Sequence, residues 1–120
     1  MELCEYDLET ALAMLSTKRY LYVAFMCHQS AEKALKGFYS SKFDSPPPFT
    51  HNLKHLVELC EMNEKLNEEM LVIIDTLTPL NIEARYPTYK EQLIKLLNEE
   101  RCNEILFQTK KLIEWIKQQL

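Results

Sequence analysis

Apolar positions at the start of the chain recur at helical intervals: Cys4, Leu8, Ala11, Leu12 and Leu15 are separated by four, three, one and three residues. Side chains three and four apart lie one above another on a helix, so the spacing predicts a short first helix over about 4–16 with one buried stripe. Ser16 and Thr17 supply its break and a cap for the next helix. The second helix is expected from about Lys18 to Lys42. Its first half, YLYVAFMC at 20–27, is apolar on every side and must be covered on every side, at the centre of a bundle or against a second copy of the chain. Its second half keeps Ala31, Ala34, Leu35, Phe38 and Tyr39 on one side. Gln29, Glu32, Lys33 and Lys36 share a polar face, either a solvated surface or the rim of a groove.

The stretch SPPPF at 45–49 is barred from helix, because consecutive prolines lack amide donors and force extended geometry. Thr50 and Asn52 are competent caps for a third helix carrying Leu53, Leu56, Val57 and Leu59 as far as about Cys60. After the polar link EMNEKLNEE at 61–69, Met70, Ile73, Ile74 and Leu77 define a fourth helix, broken or kinked at Thr78-Pro79, where Thr78 can cap and Pro79 can take a first-turn position. Leu80, Ala84 and Arg85 continue it to Pro87, and 88–97 reads as an irregular or weakly helical crossing. The last helix is the clearest: Cys102, Ile105, Leu106, Thr109, Leu112, Ile113, Ile116 and Leu120 fall on one face, Asn98 can cap it, and Glu99 and Glu100 sit at its positive end. The pattern predicts an all-α fold, an antiparallel bundle of four main helices plus a short additional one.

Composition narrows the function. A chain of 120 residues with 47% apolar and 27% charged positions matches a single globular domain spanning 1–120. Its one glycine, Gly37, leaves few positions suited to tight hairpins. A net charge of −4 excludes a broadly basic nucleic-acid surface, so any RNA or nucleotide contact must be a local patch. Cys4, Cys27, Cys60 and Cys102 are far apart in sequence, without CxxC pairs, and read as buried thiols of a reducing cytoplasm. The N-terminus lacks an apolar signal core and no stretch is long and apolar enough for a membrane span, so a cytoplasmic protein without membrane contact is expected.

Histidines are the obvious chemical candidates. His51 and His55, four apart, could share a helical face as half of a metal site, but no carboxylate is placed as third ligand, and neither metal nor cofactor is expected. His51 is expected to fix the junction between loop and third helix, His55 to lie at the surface, and His28 to be a satisfied, partly buried side chain.

Four segments carry a family likeness as well. AFMCHQSAEKALKGFY in the second helix, THNLKHLVELC after the proline loop, IEARYP at the end of the fourth helix and TKKLIEWIKQQL at the close occur in the order seen in the HEPN domain, the helical domain named for higher eukaryotes and prokaryotes nucleotide-binding, which the chain resembles over nearly its full length. The resemblance implies a usually dimeric helical bundle, often encoded beside a minimal nucleotidyltransferase with which it forms a two-gene complex, frequently a toxin–antitoxin pair. Several branches of that family are metal-independent ribonucleases whose site resembles an arginine, a polar residue and, a short spacing later, a histidine.

If Arg85 matches that arginine, the histidine is due at about 90–92, where this chain has Lys90, Glu91 and Gln92, and Tyr86 and Pro87 replace the small polar group. Metal-free RNA cleavage needs a base for the 2′-hydroxyl, and losing one costs roughly 10²–10⁴ in rate. The sequence therefore favours an interaction module, homodimeric and paired with a small nucleotidyltransferase, over an enzyme. Three alternatives stay open: a weak RNA-cleaving toxin using Arg85 with Lys90, Tyr86 or His28; a nucleotide-binding module with Lys33, Lys36 and Arg85 in a positive pocket between the second and fourth helices; and a helical domain serving only as a dimeric scaffold. The candidate binding set is Arg85, Tyr86, Lys33, Lys36, Gln29, Glu32, His28 and His51, with no catalytic residue singled out.

Overall fold

Asparagine side chains start three of the helices. In the computed structural model, which describes residues 2–80, 91–92 and 95–120, α1 is Glu2–Ser16, α2 Tyr20–Phe43, α3 Leu53–Leu59, α4 Glu68–Leu77 and α5 Glu99–Gln118. Asn52 Oδ1 accepts from the His55 amide at 3.1 Å, Asn67 Oδ1 from Met70 at 2.9 Å and Asn98 Oδ1 from Arg101 at 2.7 Å, each satisfying an amide the helix start leaves open. Asn98 and Asn52 act as expected. Asn67 starts α4 at Glu68 rather than at Met70. At Thr78-Pro79 the helix is interrupted as expected: α4 ends at Leu77, Thr78 stands at its C-terminal cap with its hydroxyl donating back to the Ile74 carbonyl at 2.6 Å, and any continuation beyond Leu80 lies outside the described residues.

Helix ends follow a different chemistry, because the chain has a single glycine and it lies inside α2. Lys18, Asp44 and Glu61 take the left-handed conformation, with φ of 61°, 48° and 60°. At the end of α1 the Lys18 amide donates to Leu15 at 3.1 Å and the Arg19 amide to Met14 at 2.7 Å. At the end of α3 the Glu61 amide reaches Glu58 at 3.0 Å and the Met62 amide reaches Val57 at 3.1 Å. Both are Schellman closures; the second adds its usual apolar clasp, since Met62 and Val57 are buried. This corrects the expected start of α2. Lys18 belongs to the end of α1, and the hydroxyls of Ser16 and Thr17 bond back to Ala13 instead of capping α2.

α2 is the centre of the bundle, with α1, α3, α4 and α5 packed on it; α1 and α4 also pack on α5, and α3 on α4. Val23, Ala24, Cys27, Ala31 and Leu35 of α2 are buried in one core with Leu56 of α3, Leu77 of α4 and Ile105, Leu112, Ile113 and Ile116 of α5. Among the described residues the expected all-α bundle forms, with four main helices and the short α3. The all-round apolar start of α2 is only partly covered: Tyr22 stays 48% exposed, and Phe25 and Met26 are half-buried. Leu12, expected in the α1 stripe, is exposed, and Asp7 is buried in its place. Leu120 lies beyond the end of α5 and is exposed.

Candidate functional site

The polar face of α2 divides between two flanks. Lys33 turns toward α1, where its Nζ lies 2.7 Å from Asp7 Oδ2. Beside it Ser30 donates its buried hydroxyl to the Cys4 carbonyl at 2.6 Å. Glu32 turns the other way, under the segment that returns from the proline loop to α3, and its side chain is only 8% exposed. Of the two readings left open for this face, a plain solvated surface does not hold at Glu32, because a buried carboxylate needs partners.

Those partners make a compact cluster. Lys36 Nζ, one turn on, lies 3.2 Å from Glu32 Oε2, and His51 Nδ1 lies 2.8 Å from Glu32 Oε1. His28, one turn back and fully buried, places Nε2 3.0 Å from the His51 carbonyl and Nδ1 3.9 Å from Glu32 Oε1. Carboxylate and carbonyl oxygens only accept, so His28 donates from Nε2 and His51 donates from Nδ1. His51 is thereby held by ring and backbone. Thr50 Oγ1 accepts from the Asn52 amide at 3.1 Å, and Asn52 caps α3, so the loop is tied at three successive residues.

The sequence-derived set is therefore met in part. His28, Glu32, Lys36 and His51 come together, with His28 more deeply buried than expected. Lys33 is held on the opposite flank by Asp7, so it does not join Lys36 in one positive pocket. Gln29 is half-buried on α2. Arg85 and Tyr86 lie outside the described residues, as do Lys90 and the IEARYP segment. The shared helical face of His51 and His55 is corrected: His51 precedes the Asn52 cap and only His55 is helical, exposed beside Glu58 at 3.8 Å. Among the described residues no three histidine, cysteine or acidic side chains are grouped to hold a metal ion. Asp7 is the partner that sequence reasoning missed; the signal was its place one turn after Cys4 and one before Ala11.

All four cysteines are buried and none is in a disulfide. Burial pushes the Cys27 thiol up to about 12 and those of Cys60 and Cys102 to about 11, and raises Cys4 as well. They remain protonated near neutral pH and act as packing groups, with Cys60 Sγ 3.4 Å from the Leu35 carbonyl. No described helix is long and apolar enough to cross a membrane.

A helical bundle with a buried carboxylate that organises two histidines and a lysine is the class of protein this geometry defines. The family follows from comparison: the model of the HEPN domain matches residues 1–119, and the chain belongs to that family. Among solved structures, the crystal structure of TT1696 from Thermus thermophilus is similar, with a TM-score of 0.83 at 20% identity, covering 99% of this chain and 94% of that one. At that identity the likeness concerns the fold. Nothing among the curated proteins matches the sequence.

Proposed function

We propose that this HEPN domain acts by binding other proteins, as a homodimer and as the partner of a small nucleotidyltransferase in a two-component, toxin–antitoxin-like system of the cytoplasm. The observation that supports it most is apolar surface left on outward helical faces. Tyr22 of α2, Leu3 and Tyr6 of α1, Val72 of α4 and Phe107 of α5 are all about half exposed or more. Between α4 and α5 runs a groove of about 390 Å³ with Ile73 and Ile105 in its lining and acidic residues at its edge. Surface of this kind suits contact with protein. Lys90, Glu91 and Gln92, standing where the family's ribonuclease branches would have a histidine, weigh against RNA cleavage as the main activity.

The test is affinity purification of the tagged chain from its native cell, with mass spectrometry of stoichiometric partners and light scattering of the purified species. A nucleotidyltransferase recovered with a dimer of this chain is the expected result. A chain recovered alone as a monomer overturns the reading, and cleavage of single-stranded or transfer RNA by nuclease-free protein would replace it with the enzymatic one.

A further inference from the structure

We propose that Nε2 of His51 is a nucleophilic acceptor site for a phosphoryl group. The bond to Glu32 fixes which nitrogen carries the lone pair. Because the carboxylate at 2.8 Å accepts a hydrogen bond from Nδ1–H, the neutral ring presents its lone pair at Nε2. The side chain is 53% exposed, and among the described residues Nε2 has no hydrogen-bond partner. A nucleophile oriented through its far nitrogen by a buried carboxylate is the arrangement that covalent catalysis by histidine requires.

His55 supplies an internal contrast. Its side chain is also 53% exposed, but its Nδ1 is 3.8 Å from a Glu58 carboxylate that is itself solvated, too far for a hydrogen bond. Exposure alone therefore does not separate the two histidines; the carboxylate and the backbone tie from His28 do.

In the transfer step the Nε2 lone pair attacks the phosphorus of a donor of the phosphoramidate or acyl-phosphate class. An N–P bond forms, the bond from phosphorus to the leaving group breaks, and the leaving group departs with the electron pair and takes up a proton from solvent. The Nδ1 proton stays in place, so the positive charge the ring gains faces the Glu32 carboxylate. Lys36, held on the other oxygen of that carboxylate, fixes the carboxylate's orientation toward the ring. Glu32 is a positioning residue here, since it acts through the ring of His51.

Incubating the intact protein with potassium phosphoramidate, followed by peptide mapping and phosphorus NMR under alkaline conditions, tests the site. The expected result is phosphorylation of His51 several-fold faster than of His55, with the adduct on Nε2. Glu32→Gln, with its fold checked by circular dichroism, is expected to bring the His51 rate down to that of His55. Equal labelling of the two histidines, an Nδ1 adduct on His51, or a folded Glu32→Gln protein with an unchanged rate overturns the proposal. If Glu32→Gln does not fold, the rate ratio and the modified nitrogen in the unsubstituted protein decide the matter.

Discussion

On the α1 flank of α2, Asp7 meets one lysine, Lys33, at 2.7 Å; on the α3 flank, Glu32 meets a lysine and a histidine at 3.2 and 2.8 Å. The two carboxylates are about equally buried, yet they serve different ends. Asp7 joins two helices that the short 17–19 link has already made neighbours, and its lysine is 37% exposed, so water shares the charge. Glu32 joins α2 to a segment that returns only after the prolyl loop, and it fixes the direction of an imidazole. A buried charge between sequence neighbours adds to a contact that packing already secures. A buried charge under a long loop decides where that loop goes.

The largest test is pH. In the folded chain the buried thiols hold their protons well above the ordinary cysteine value of 9.0, with Cys27 at about 12. Between pH 9 and about 12 the unfolded chain loses those protons first and binds fewer than the native state. Stability is therefore flat toward neutral pH and falls with rising pH, by up to about 1.4 kcal/mol per pH unit for each such thiol. Urea denaturation at a series of alkaline pH values measures the slope, and Cys27→Ala should reduce it. Cys60, tied to α2 on the Glu32 flank and raised to about 11, should contribute a decline that ends earlier.

Next comes the pair of carboxylates themselves. Glu32→Ala leaves His51 and Lys36 without their acceptor and should cost about 2–3 kcal/mol, whereas Asp7→Ala, whose lysine can turn to water, should cost about 1 kcal/mol. Chemical denaturation of both variants compares them; equal costs would mean that the two flanks do the same structural work. His51→Ala should cost about 1 kcal/mol and His55→Ala less than about 0.5 kcal/mol, although the two side chains are equally exposed.

Effects of similarly small size concern the helix ends on the two flanks. Lys18→Gly at the end of α1 and Glu61→Gly at the end of α3 relieve a left-handed non-glycine residue and should each stabilise the fold by about 0.5–1 kcal/mol. Thermal melts read this directly. A loss at Glu61 alone would show that its ion pair with Lys42 at 3.6 Å matters more than its backbone.

Much of the fold was legible because helical periodicity reports which face is apolar without reference to any other segment. The α5 stripe from Cys102 to Ile116 is buried as read, and Asn98 and Asn52 cap as read, because a cap is a contact within one turn. The same locality explains the misses. Lys18, Asp44 and Glu61 look like ordinary surface residues, and nothing in their side chains announces positive φ; they take it because three helices must end where the bundle turns and the chain's single glycine is elsewhere.

By itself, then, the sequence determined that the chain is helical, where α3 and α5 start, which stripes face inward and that its thiols pack, all consequences of interactions within a few residues. Only the tertiary structure decided that Glu32 leaves the polar face for the interior while Lys33 goes to Asp7, and that His51 stands outside α3 with its ring held by a carboxylate nineteen residues away. The physical reason is that burying a charge is tolerable only where a partner arrives to meet it, and that partner is brought by the path of the loop, which periodicity does not encode.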